Sequence, residues 1–132
     1  MIRYTQLHLT KIDLEAKLNL KSEKCVACRR DSIPVNSETI SELHPNVPNW
    51  QLTKNEGARR LDRTFKFIDF SQAMMFASLV ADIADSEGHH PRLIVEWGRV
   101  NVAWWTHKIN DLHRNDFIMA AKTDELFTRE GD

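Results

Sequence analysis

One glycine between two short runs of branched and aromatic residues restricts most strongly what this chain can fold into. The runs are Arg92 to Glu96 and Val100 to Thr106, with Gly98 between them. Branched and aromatic side chains favour strands, and a tight turn wants a residue free to take positive φ. The stretch is therefore a predicted hairpin. With Trp97, Gly98 and Arg99 as a three-residue loop, Glu96 pairs with Val100, and the same register carried outward sets His89 opposite His107. A loop one residue shorter or longer moves every pair by one position. One end of the hairpin thus gathers His89, His90 and His107, three of the six histidines of the chain, with Asp85 and Asp116 close by in sequence.

The remaining elements fall around this hairpin. Ser37 is a predicted N-cap for a short helix that Pro45 and Pro48 end. Trp50 and Leu52 alternate with polar residues in a first strand. A turn at Asn55-Glu56-Gly57 leads into a second strand, Arg60 to Ile68, with Phe65 and Phe67 as core candidates. Asp69 or Ser71 caps the main helix. Its apolar stripe is Ala73, Phe76, Ala77, Val80, Ile83 and Ala84, and Gly88 lies just past its end. A last helix runs from about His113 to Phe127. Helix, two strands, helix, two strands, helix predicts an α+β fold: a four-stranded antiparallel sheet with helices packed on one face. Trp104 and Trp105 are neighbours on a strand and face opposite sides, so one belongs to the core. The other of the pair, Met74-Met75 and Ile118-Met119 remain as apolar surface for contact between copies of the chain.

Composition narrows the function class. At 132 residues the chain makes one domain, here divided into a 1–24 N-terminal extension and a 25–132 domain. Leu7, Leu14 and Leu18 in the extension have helix-compatible spacing. The net charge of -1 gives no broad field for nucleic acid or an anionic membrane. No apolar run reaches the length of a membrane span, and residues 1–24 lack the apolar core of a secretion signal. Cytoplasmic localisation is the expectation. Two cysteines do not make a disulfide scaffold.

The histidine cluster admits three readings. Imidazole, with a reference pKa of about 6.5, both gives and takes protons at neutral pH, which suits acid–base catalysis. Three histidines and a carboxylate could instead hold zinc. Against that, adjacent residues of an extended segment point to opposite sides, and Pro91 biases His90 toward an extended backbone. Cys25-x2-Cys28 would be half of a zinc site, but no second pair exists. No metal and no other cofactor is therefore expected. The third reading is structural: partly exposed histidines at a strand end. His113, near a helix start where a cation is not favoured, is read as structural or loosely site-lining.

The spacing itself is specific. Asp85-x3-His89-His90-Pro91, Trp97 six residues after the proline, then x9-His107 and x8-Asp116 resemble the pterin-4a-carbinolamine dehydratase family. The likeness spans roughly Cys25 to Leu126 and is greatest to bacterial members that accompany phenylalanine hydroxylase. It departs at Asn110-Asp111, where the family usually has a glycine before the leucine, and at Leu93, where animal members carry an aromatic. The resemblance implies dehydration of a 4a-hydroxytetrahydropterin to quinonoid dihydropterin and water. It implies His89 and His107 as proton donors to the leaving hydroxyl. His90, Asp85, Pro91 and Asp116 would serve substrate binding, the two aspartates by positioning imidazoles or holding polar ring edges. It also implies a homodimer or homotetramer and coupling to phenylalanine hydroxylase. Animal members double as dimerisation cofactors for a transcription factor, so a protein-binding module is the competing class.

Overall fold

Two tight hairpins and two long helices set the architecture in the computed structural model, which describes residues 18–131 and the side chains of residues 18–128. Leu7 and Leu14 of the expected extension lie outside the described residues. In chain order the elements are α1 (Ser37–Leu43), β1 (Gln51–Asn55), β2 (Ala58–Lys66), α2 (Phe70–Glu87), β3 (Arg92–Glu96), β4 (Arg99–Trp104) and α3 (Arg114–Gly131). Short 3-10 turns occupy Leu20–Ser22 and His44–Asn46. The sheet order is β1-β2-β4-β3, antiparallel throughout, as the sequence pattern predicts.

The first hairpin turns on Glu56 and Gly57, both at positive φ (51° and 84°), the geometry that matches strand twist. The second corrects an expectation. Glu96 pairs with Arg99, not with Val100, so the loop is Trp97-Gly98 alone. Two contacts explain the shorter loop. Arg99 is drawn into the ladder between Glu96 and Lys66. Gly98, at φ 74°, offers its carbonyl to Phe67 N–H at 2.8 Å. A Cβ on Gly98 would come within 3.3 Å of Phe67 O, so this close approach favours glycine twice over. Carried past the last ladder pair, the register sets Thr106, rather than His107, across from His89.

Helices α2 and α3 cover one face of the sheet. From below, that face sends up Leu61, Phe65, Val100, Val102 and Trp104; from above come the predicted stripe of α2 and Phe117, Ile118, Met119 and Ala120 of α3. Phe65 is central, with the rings of Phe76, Phe127 and Trp50 at 4.8, 5.0 and 5.8 Å. Ile118 and Met119 are thus core, not the outward surface expected, because the first turn of α3 packs down onto the sheet. The expected cap of α1 also moves by one: Asn36, not Ser37, accepts the Thr39 N–H at 2.8 Å. Asp69 caps α2 through Gln72 N–H at 2.9 Å.

The other face of the sheet is polar. Arg92 Nη2 donates to Asn101 Oδ1 at 2.9 Å, and Asn101 Nδ2 donates to Asp62 Oδ1 at 2.8 Å. Leu20, in the stretch expected as an extension, is buried against α3, and the Glu23 carboxylate takes two hydrogen bonds from Arg114 at 3.0 and 2.8 Å. No helix among the described residues is long and apolar enough to cross a membrane.

Candidate active site

The end of α2 aims the first histidine pair. Gly88 takes φ 65°, where only glycine is comfortable, and turns the chain. His89 N–H then donates back to Ala84 O at 3.1 Å. The turn drives the His89 ring inward, to 8% exposure, and sends His90 outward. The vicinal rings therefore diverge, as an extended X-Pro segment requires.

The start of α3 supplies the partner of His89. His113 precedes the helix and accepts the Asn115 N–H on its Nδ1 at 3.1 Å. Asp116 Oδ2 accepts the His113 N–H at 2.9 Å in return. This reciprocal cap fixes Asp116 in the first helical turn, where a negative charge meets the positive end of the helix dipole. Asp116 is fully buried. Its Oδ2 also accepts from Thr106 Oγ1 at 2.8 Å, and its Oδ1 stands 2.6 Å from His89 Nε2. With the carboxylate as acceptor, His89 carries a proton on Nε2, and its Nδ1 makes no hydrogen bond among the described residues. The ring lies parallel to Trp104, 5.9 Å away.

His107 is held differently. Its Nε2 donates to His90 O at 3.2 Å, and its Nδ1 likewise makes no hydrogen bond among the described residues. Its ring stacks on the Trp105 indole at 4.5 Å and 14°. The Arg60 guanidinium sits 3.8 Å from the same indole. Trp104 is thus the core member of the tryptophan pair, and Trp105 backs a site imidazole. His90 Nε2 lies 3.0 Å from Asp85 Oδ1, with both side chains in water.

Between these groups lies a cleft of about 540 Å³. Its lining includes His89, His90, Thr106 and His107 together with Glu87 and the Cys25 to Cys28 segment. The volume suits a small heterocyclic ligand. Asp85, Pro91 and Asp116 do not line it. Asp116 is sealed behind His89 with both oxygens engaged. Burial, with Glu87 and Asp116 adding, pushes the Cys25 thiol up to about 12, and burial raises Cys28 as well. Both are protonated thiols at neutral pH. Burial lowers His113, helped by His89 and opposed by Asp116.

Sequence reasoning missed Thr106, Glu87, Asn115 and Lys108 as site-building residues. Only Thr106 carried a usable signal: it shares a strand face with Trp104, two residues away. The departure at Asn110-Asp111 has a structural use. Asn110 takes φ 50°, which asparagine tolerates better than most residues, and Asp111 pairs with Arg59 at 2.6 Å.

Fold and site together define a two-layer α+β protein with an imidazole–carboxylate cluster at a cleft. Residues 33–126 match the family model described as pterin 4 alpha carbinolamine dehydratase, and the chain belongs to that family, whose members are hydro-lyases. A Gloeobacter violaceus protein provisionally named pterin-4-alpha-carbinolamine dehydratase 1 is 49% identical over 114 residues, covering 86% of this chain and 98% of that one. A Marinobacter nauticus protein with a like provisional name is 50% identical over 109 residues, covering 83% and 98%. Among solved structures, one from Brucella melitensis described as a transcriptional coactivator/pterin dehydratase matches at 31% identity and a TM-score of 0.64, covering 71% of this chain and 98% of that one. A pterin dehydratase-like RuBisCO assembly factor of the alpha-carboxysome, at 20% identity and a TM-score of 0.50 over 59% of this chain and 88% of that one, shares the fold.

Proposed function

We propose that this protein dehydrates a 4a-hydroxytetrahydropterin to quinonoid dihydropterin and water, with His89 and His107 as the proton-transferring groups. The observation that carries the reading is two imidazoles at one cleft, each with Nε2 committed to an acceptor and Nδ1 making no hydrogen bond among the described residues. A protonated imidazole gives its Nδ1 proton to the substrate hydroxyl. The carbon–oxygen bond breaks as the lone pair of the adjacent ring nitrogen moves into a carbon–nitrogen double bond, and water leaves. The second imidazole, neutral, takes the proton that the ring system then gives up. Proton count and electron pairs balance with no redox partner. Positioned acid–base groups contribute roughly a hundred- to ten-thousandfold each.

Asp116 is a positioning residue in this scheme. It orients His89 through Nε2, and it does not touch substrate. His90, in the cleft lining, binds a polar edge of the pterin, Asp85 positions the His90 ring through Nε2, and Pro91 holds His90 extended. Family likeness supports service to an aromatic amino acid hydroxylase, such as phenylalanine hydroxylase, in the cytoplasm. The competing reading, a protein-binding regulatory module, draws on the coactivator in the description of the Brucella structure. A dehydratase assay on freshly generated 4a-carbinolamine separates them. The expected result is dehydration well above the uncatalysed rate at catalytic protein concentration. A rate equal to that of buffer alone contradicts the enzyme.

A further inference from the structure

Cys25 to Cys28 line the cleft together with the histidines, and they precede the 33–126 region that the family model matches. This segment has no regular secondary structure, yet it is tied down almost residue by residue. Cys25 N–H donates to Glu87 Oε1 at 2.8 Å. Asn115, itself 2% exposed, reads both sides of the next residue: Val26 N–H donates to Asn115 Oδ1 at 3.1 Å, and Asn115 Nδ2 donates to Val26 O at 2.8 Å. Lys108 Nζ donates to Cys28 O at 3.0 Å. Each anchor is a close sequence neighbour of a site group. Glu87 is two residues before His89, Asn115 adjoins Asp116, and Lys108 adjoins His107. The strap is therefore registered on the same three pieces of chain that hold the imidazoles. Between its anchors, Ala27 lines the cleft, and its N–H and C=O make no hydrogen bond among the described residues.

We propose that residues 25–28 form a substrate-binding strap, in which the Ala27 peptide pairs with the amide-like edge of the bicyclic substrate. The pyrimidinone edge of a pterin carries a ring N–H beside a carbonyl, the complement of the donor–acceptor unit that one extended residue's own N–H and C=O make on the same side. An anchored extended segment offers such a unit in a fixed position, at little ordering cost on binding. This inference rests on the dehydratase reading and adds to it a binding element from outside the matched family region.

The test uses the full chain, labelled with nitrogen-15 and titrated with 7,8-dihydropterin as a stable reduced-pterin probe, alongside kinetics of two variants. Asn115→Ala releases the strap. Ala27→Phe, at an exposed position, leaves every anchor in place and fills the cleft. The Ala27 amide resonance should shift in step with those of the His89 and His107 rings. Each variant should raise KM about tenfold while kcat stays within about threefold. Shifts at the two histidines with none at Ala27, or unchanged KM in both variants, overturn the strap and leave the dehydratase reading standing. No pterin binding and no turnover in the wild-type chain overturn both.

Discussion

Asp116 Oδ1 stands 2.6 Å from His89 Nε2, with the carboxylate fully buried and the imidazole 8% exposed. The same carboxylate closes the cap of α3 through His113 N–H and anchors β4's exit through Thr106. One side chain thus joins helix start, strand end and site. Asp116→Ala strands three donors in a dry environment. It should lower the free energy of unfolding by on the order of 3 kcal/mol. Asp116→Asn keeps the shape and replaces the carboxylate acceptor of His89 Nε2 with an amide. It should retain most of the stability and still lose turnover at least tenfold. Urea unfolding and steady-state kinetics on both variants check this; Asn-variant turnover equal to wild type would show that the carboxylate only packs.

The His113 cap makes stability depend on pH. Its Nδ1 must keep a lone pair to accept the Asn115 N–H, and burial holds its pKa below the ordinary value. As pH falls, the unfolded chain takes up this proton first. The stability contributed by neutral His113 is complete above about pH 6.5 and is lost as pH falls through the lower folded-state value. His113→Asn keeps a capping acceptor that does not titrate. Wild type should therefore lose more stability than this variant between about pH 7.5 and pH 5 in urea titrations. Parallel losses in the two proteins would remove His113 from the account.

Much of this was legible in local sequence, and what was not lies in contacts between distant residues. Residues 92–96 and 70–87, the αL glycine at Gly88 and the apolar stripe of α2 follow from periodicity and turn chemistry that act within a few residues. The loop length between β3 and β4 does not, because Phe67 N–H, thirty positions back along the chain, helps to set it. Nor could local pattern tell Trp104 from Trp105: Arg60 on the neighbouring strand gives Trp105 its cationic cover. The strap was visible only as a cysteine pair, since its partners are 62 to 90 residues away.

Assembly is a separate expectation. Strands β1 and β3 are the free edges of the sheet, and Ile68, Met75 and Trp97 are more than half exposed. Open edges beside apolar surface favour closed symmetric oligomers. Light scattering on the full chain at micromolar concentration should return at least a dimer mass. Truncation at residue 24 is a poor probe, since it removes Leu20 from the core. A monomer mass would contradict the expectation.

The site should work without a metal. His89 and His90 diverge, His89 Nε2 is committed to Asp116, and the two thiols are held protonated. Activity should survive exhaustive chelation, with no stoichiometric metal in elemental analysis. Stoichiometric zinc whose removal abolishes activity would reject this.

The most direct test of the central claim is turnover of 4a-carbinolamine by His89→Ala and His107→Ala, each first shown to be folded by its unfolding transition. The account predicts that each falls about a hundredfold or more in kcat, because each removes a group acting only as the proton moves. His90→Ala should change KM more than kcat. Near-wild-type kcat in folded His89→Ala and His107→Ala would contradict the assignment of proton transfer to these two residues.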